Sequence, residues 1–375
     1  MSRLLLLSVI LLAAGCSRDP VDPAEITWVF NRHSCDKLDL VRMEQGLKTS
    51  GPEVLPSFDP YAFFLPPQWK PAPAMPGVKK AHAGLVLWRS GGAAWVVKVY
   101  PGSPAEKAGL KAGDRVSLFD GRPVGSLSDG ELQEDIYGVR GGGFSLKGVS
   151  ASGAPVEASL KRDFGGMQTV WGFIVPGTRT GYLRIVNFGG KAAERIKTEM
   201  NALLDGGANR VVIDLRGNYG GPVQQTSDAL ALFAPRGGPV FRAVSRHPGY
   251  SRVFAAAEPG PYAGVKTVVL ADAGTISRGE LFAAALREWG GASVVGETTG
   301  GNVSATRGFR LKSGAALRLT VARLETPSGA DLDGKGLVPD VAVQDRTTEE
   351  GAGLREFPQA LASADPVLKR ALELH

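Results

Sequence analysis

Ser277, just ahead of a helical stretch, is the residue of this chain best placed by type and position to act as a nucleophile. It opens the run Ser277-Arg278-Gly279-Glu280. Amides in the first turn of a helix have no partner inside the helix and favour negative charge. A serine hydroxyl set there can attack a carbonyl carbon while neighbouring amides hold the oxyanion. The same four residues also spell a capping box, in which serine and glutamate satisfy the orphan amides. Local sequence leaves both readings open for Ser277, and Glu280 reads as a first-turn carboxylate or as a catalytic acid.

The elements that must position Ser277 are legible on either side of it. Thr267 to Leu270 is an apolar, β-branched run that predicts a buried strand, and Asp272-Ala273-Gly274 breaks it. Leu281, Phe282, Ala285 and Trp289 recur at helical spacing, Gly290-Gly291 ends that helix, and Ser293 to Val295 starts the next strand. Two similar units come earlier. Gly181 to Val186 is a strand, followed by a helix with Ala193, Ile196, Met200, Leu203 and Leu204 on one face. Arg210 to Leu215 is another strand, running into the glycine-rich turn Arg216-Gly217-Asn218-Tyr219-Gly220-Gly221 and a helix with Ala229, Leu230, Leu232 and Phe233. Strands at 317–324 and 341–343 and a last helix at about 366–374 follow. The alternation predicts an α/β domain.

A length of 375 residues allows two or three domains, and 43% hydrophobic residues suffice for real cores. The net charge of +6 is spread along the chain without a basic run interleaved with aromatics, which argues against a nucleic-acid partner. Arg3, the apolar run Leu4 to Leu12 and Ala13-Ala14-Gly15 before Cys16 read as an export signal, too short for a permanent span. Ala-Ala-Gly-Cys resembles the bacterial lipoprotein signal, which implies lipidation of Cys16 and a membrane-held protein at the cell envelope or in the periplasm. Ala13 stands where that signal usually has leucine, so plain secretion and an uncleaved anchor are the alternatives. Cys35 is the only other cysteine, so no disulfide is expected in the mature chain. Residues 17–23 read as a tether, 25–47 as mildly helical, and the proline-rich 51–76 as an extended connector whose aromatic segment FDPYAFFL (58–65) should pack against something.

Residues 82–163 predict a compact unit of short strands and one helix. Its stretch YPGSPAEKAGLKAGDRV (100–116) closely resembles a PDZ domain of the kind carried by bacterial proteases. In such a domain a glycine-containing loop offers amides to a C-terminal carboxylate, and an open strand edge accepts the peptide as an added strand. Gly84, Leu85 and Val86 are the positions expected to do so. A PDZ-shaped module that only packs against its neighbour is the alternative.

The ordered set FDPYAFFL, the PDZ segment, GYLRI, VVIDLRGNYGG, ISRGE, VVGETTGG, LTVARLETPSG, GKGLVPDV and DPVLKRALEL resembles the C-terminal processing, or tail-specific, serine peptidase family. The resemblance runs from about Ser57 to the C-terminus. It implies a PDZ domain on a crotonase-like α/β peptidase core, preceded by a short N-terminal helical segment. It also implies cleavage of polypeptides near their free C-termini, and no cofactor or metal is expected. The expected partition is a signal at 1–16, a tether and N-terminal segment at 17–81, the PDZ domain at 82–163 and the peptidase core at 164–375.

Carried over by position, the family nucleophile falls on Ser277, and the oxyanion contacts fall on amides near Gly220-Gly221 and at Arg278. An acidic partner falls on Glu288, which otherwise reads as an exposed helix residue. The family's general base is a lysine in a Phe-Gly-Lys-Gly turn, and this chain has Thr299-Gly300-Gly301-Asn302 there. Asn302 cannot accept a proton at working pH, and general-base help is worth roughly 10²–10⁴-fold. The related tricorn-type peptidases pair the serine with a histidine from the segment before the PDZ domain, oriented by a glutamate. Matching positions here give Ser277, His33 and Asp333, with His33 as a surface residue of a mobile arm the alternative. His82, beside the PDZ carboxylate loop, and His247, on a later loop, are the remaining histidines considered. Three functions stay open: an active tail-specific peptidase, an inactive homologue that binds C-terminal tails, and a peptidase of another specificity.

Overall fold

The computed structural model describes residues 21–67, 80–90, 93–127, 132, 136, 138–165, 169–344 and 365–374. The export signal with Cys16 and residues 345–364, between the last expected strand and helix, lie outside the described residues. The chain divides into two compact units, one of residues 1–72, 245–248 and 306–322, the other of 73–244, 249–305 and 323–375.

In the first unit, α1 (Pro23–His33) starts at Asp22, whose Oδ1 accepts from the amides of Ala24 and Glu25 at 2.9 and 3.3 Å, with Pro23 at the first helical position. Asp39 caps α2 (Leu40–Ser50) through the Arg42 amide at 3.0 Å. Ile26, Phe30, Met43 and Leu47 are buried here. The described part of the expected connector, residues 51–67, is structured instead. Gly51–Ser57 is a 3₁₀ helix, and β1 (Phe63–Leu65) pairs antiparallel with residues 316–318. Asp59 ties this segment down by accepting from the Thr320 amide at 2.6 Å and its hydroxyl at 2.9 Å. The aromatic segment thus gains a strand partner that lies 253 residues further on for Phe64, at Leu317.

The second unit begins with β2 (Lys80–Ala81), β3 (Leu85–Ser90), β4 (Ala93–Val99), α3 (Pro104–Lys107), β5 (Arg115–Phe119), β6 (Arg122–Pro123), β7 (Gly138–Val139), β8 (Gly143–Val149) and β9 (Pro155–Lys161). β3, β4, β5, β8 and β9 form an antiparallel sheet in that order, so β3 is an edge strand. Leu85, Leu87, Val96, Phe119, Phe144, Leu146 and Leu160 fill its core.

There follow β10 (Val170–Ile174), β11 (Thr180–Ile185), α4 (Ala192–Asp205), β12 (Arg210–Asp214), α5 (Val223–Ala231), β13 (Gly238–Val244), β14 (Arg252–Ala256), β15 (Lys266–Ala271), α6 (Arg278–Glu288), β16 (Ala292–Gly296), β17 (Ser304–Arg310), β18 (Ala316–Glu325), β19 (Val341–Ala342) and α7 (Pro366–Glu373). The central sheet has the order β10-β11-β12-β15-β16-β19, with β10 antiparallel and the others parallel. Parallel strands covered on both faces read as continuous apolar runs, which is why RVVID and TVVLA lack alternation. β13 pairs with β14 and with residues 323–325 of β18.

One apolar cluster joins the PDZ-like sheet to this core. Val86 and Val97 pack with Phe173, Tyr182, Leu270 and Val367 of α7, and Trp88 lies against them. Beside it, the Lys98 ammonium bonds the Glu199 carboxylate of α4, which also accepts the Gly172 amide at 3.0 Å. Under the sheet, buried Asp214 accepts from Tyr182 Oη at 2.5 Å, Arg184 Nη1 at 2.9 Å and Arg216 Nη2 at 2.7 Å. Burial opposes its charge, but the Arg184 and Arg216 guanidiniums outweigh that and hold the carboxyl well below the usual range. Arg216 also reaches Asp365, the N-cap of α7, at 2.6 Å. The glycine-rich turn therefore starts from a fixed point.

Candidate active site

Ser277 sits between the end of β15 and the start of α6 with φ 59° and ψ −125°. Among the described residues only Asp120 is another non-glycine with positive φ. An N-cap residue is ordinarily extended, so capping does not require this conformation, which costs about 1–3 kcal/mol. The expected capping box is nonetheless present, with the Glu280 carboxylate accepting the Ser277 amide at 2.9 Å. Capping and display of the hydroxyl on a tight elbow are thus compatible. The residue is half-buried.

The glycine-rich turn lies against this elbow. A Cβ on Gly220 (φ 84°) would stand 3.0 Å from the Arg278 nitrogen and 3.3 Å from Ser277 Oγ, and one on Gly221 would be 2.7 Å from the Phe188 backbone. Only glycine lets the turn come this close. Asn218, fully buried, organises the approach. Its Nδ2 donates to the Ile185 carbonyl at 2.8 Å, and its own carbonyl accepts the Ile276 amide at 2.8 Å. Its Oδ1 accepts the Gly220 amide at 2.8 Å. That corrects one expectation: the Gly220 amide is committed to Asn218, so Gly220 contributes space and not an oxyanion donor. The oxyanion reading then rests on the amides of Gly221 and Arg278.

Glu280 is more than a first-turn carboxylate. It has no exposed surface, and its two oxygens take four bonds. Besides the Ser277 amide, these come from Thr299 Oγ1 at 2.5 Å, the Gly301 amide at 2.7 Å and the Asn302 amide at 3.0 Å. Burial pushes its carboxyl up from the ordinary value, against the pull of these donors. Glu280 thus fastens the 299–302 turn, with Asn302 in it, to the nucleophile elbow. Asp333 joins from the other side by accepting the Val303 amide at 2.8 Å, next to the Gly334 amide bond to the Gly301 carbonyl at 2.7 Å. An elbow serine, a glycine turn packed on it and a buried carboxylate binding both loops form a hydrolase-like site.

Residues 179–343 match the family model described as peptidase family S41, and residues 95–139 match that of a PDZ domain. Residues 179–343 form a peptidase family S41 domain. It is 31% identical over 277 residues to a carboxyl-terminal-processing protease of Synechocystis, covering 73% of this chain and 62% of that protein. With the carboxy-terminal processing protease CtpA of Bacillus subtilis it shares 30% identity over 249 residues, 66% of this chain and 53% of that protein. The chain thus spans between half and two thirds of the length of these relatives. Its fold resembles the solved structure of a photosystem II D1 C-terminal processing protease, with a TM-score of 0.55 and 22% identity, covering 87% of this chain and 93% of that one. The mixed α/β peptidase core with a PDZ domain agrees with the expected fold class.

Within the S41 domain, Glu288 does not accompany Ser277. It lies eleven residues along α6, about 16 Å at the helical rise, and its carboxylate accepts the Ser328 amide at 2.9 Å. Position in the sequence alone does not register that rise. Asn218, Thr299 and the Arg278 side chain were missed by sequence reasoning. An asparagine inside a glycine turn, where its side chain can bond its own backbone, was the available signal for the first.

His33 belongs to the first unit, at the end of α1 and not on an arm, stacked on Phe309 with ring centroids 4.4 Å apart. Burial, with Arg32, His247 and Arg307 nearby, lowers its pKa from 6.5, so the ring is neutral at pH 7 and able to accept a proton. His247 lies in the same unit.

In the PDZ domain the expected carboxylate loop is also partly committed. The Gly84 amide donates to His82 Nδ1 at 3.1 Å, while the Gly84 carbonyl accepts from the Tyr100 amide at 2.9 Å and Ser103 Oγ at 3.2 Å. Gly84 is therefore removed as a donor to a peptide carboxylate, and Leu85 and Val86 begin the edge strand β3. Burial pushes the His82 pKa down to about 4. The unfolded chain, with a value near 6.5, binds the proton more readily, so this stability is full above pH 6.5 and is lost as pH falls towards 4. Wild type should lose about 2–3 kcal/mol more than His82→Asn between pH 7 and 4.5 in denaturant melts. Parallel losses in the two proteins would refute the neutral, buried imidazole.

Proposed function

We propose that this chain is an exported serine peptidase of the C-terminal processing type, with Ser277 as nucleophile and the PDZ domain holding substrate tails. The observation that carries the reading is the left-handed Ser277 at the start of α6, with Gly220 packed against it. A cap alone needs neither feature. The attacked carbonyl would pass its charge to the amides of Gly221 and Arg278, and the Ser277 proton would go to a base of imidazole or carboxylate type. Asp333, which lies in the same unit as Ser277 and bonds the Val303 amide behind the 299–302 turn, is the candidate there. Names of relatives that process carboxyl termini support polypeptide substrates with free tails. The leader ending at Cys16 supports a place in the cell envelope on a lipid anchor, which the mass of the mature N-terminus checks.

The test compares unfolded polypeptides with an apolar C-terminus, free or amidated. Cleavage of the free form at least tenfold faster supports tail recognition. Equal rates would replace it by a peptidase of another specificity. Asn302 in the lysine position favours the second reading, an inactive tail-binding protein, and that reading requires binding of the free tail with no turnover.

A further inference from the structure

Arg278 follows Ser277 directly, and its side chain turns back on the nucleophile. Nη1 lies 3.0 Å from Ser277 Oγ, and Nε donates to the Gly221 carbonyl at 2.6 Å. The Nε bond fixes the plane of the guanidinium, which then holds Nη1 on the hydroxyl. We propose that Arg278 is a further catalytic residue, a fixed cation that makes the Ser277 hydroxyl more acidic so that a base weaker than lysine suffices. The proposal rests on Ser277 being the nucleophile.

A hydroxyl oxygen accepts as well as donates, and a cationic donor on it favours the alkoxide over the alcohol. Arginine stays protonated and cannot itself be the base. In the step, the Oγ proton passes to an imidazole or carboxylate, the Oγ–C bond forms, and the carbonyl electron pair moves to oxygen. Collapse then breaks the C–N bond, and the proton returns to the leaving amine. Arg278 gains and loses no proton. The titratable groups around the elbow are Glu280, bonded to the Ser277 amide, Asp272, which accepts the Gly217 amide at 2.8 Å, Tyr219 of the glycine turn, and Asp333 behind the 299–303 turn. All are retained in the variants below, so a ratio of rates isolates Arg278.

The experiment measures the rate of labelling by a fluorophosphonate from pH 6 to 10 in wild type, Arg278→Ala and Arg278→Lys. At pH 7 the alanine variant should label about 10²-fold more slowly. Millimolar guanidinium, which can refill the vacated cation position, should raise the alanine variant's rate at least about tenfold and leave wild type unchanged. Lysine, which keeps the charge but not the fork, should fall between, and it keeps the question decidable if the alanine variant does not fold. An alanine deficit that guanidinium does not reduce, with a lysine variant no faster than the alanine one, would mean that Arg278 only shapes the loop, and unchanged rates would mean that it does nothing; either overturns the proposal. Wild type that labels at no pH overturns the reading of Ser277, and this proposal with it.

Discussion

Ser277→Ala is expected to lower peptide cleavage at least about 10³-fold and to abolish phosphonate labelling, while the protein stays folded. The loss is large because Ser277 Oγ supplies the bond to the substrate carbonyl carbon, and its removal leaves only the oxyanion donors. Stability should respond in a way that separates strain from capping. Alanine gives up the cap, at about 1 kcal/mol, and keeps the unfavourable φ of 59°. Ser277→Gly also gives up the cap but relieves the backbone, so it should unfold at a higher denaturant concentration than Ser277→Ala and be equally inactive. Cleavage by either variant within tenfold of wild type would remove Ser277 from the chemistry. A glycine variant no more stable than the alanine one would remove the strain.

Glu280→Gln should be nearly as damaging to rate and much worse for stability. Three amides and one hydroxyl aim at the two carboxylate oxygens. An amide side chain offers one oxygen and one NH₂, so at least one N–H meets another donor at a position with no exposed surface. The expected cost is about 3 kcal/mol of stability, with at least 10²-fold lower kcat as the 299–302 turn loosens from the elbow. Glu280→Asp, too short to reach both loops, should not restore the rate. Denaturant melts and kcat measured on the same preparations check both parts. A glutamine variant with wild-type melting would show that the four bonds do not hold this carboxylate in solution.

The parts of this site written in local sequence were readable before any coordinates. The strand at 267–270, the helix behind Ser277 and the glycine turn at 216–221 follow from apolar runs, helical spacing and turn residues, and each is found within a residue or two of its expected place. What escaped was pairing between residues far apart in the chain. Nothing around Gly84 says that its amide is taken by His82, because that bond depends on a buried imidazole held by Tyr100 and Phe164. Asn218 escaped for the same reason, since its side chain completes bonds to residue 185 as well as to its own turn. Glu280 was read correctly as a cap, and incompletely, because local spacing shows the Ser277 amide and not the turn twenty residues on. The 51–65 segment looked like a linker because prolines obscure a 3₁₀ helix and short pairing.

The apolar contact between the PDZ domain and the peptidase core limits how freely evolution or an engineer can exchange parts. Strands β3 and β4 are apolar on both faces: Leu85, Leu87 and Val96 turn into their own sheet, while Val86, Val97 and Trp88 turn onto Phe173 and Tyr182. Excised as an independent cassette, this module would carry a naked apolar patch and would tend to self-associate. Transplanted from a relative, it would need those three outward positions recut to the new host. Recombination between such proteins should therefore leave β3, β4 and the start of the central sheet travelling together.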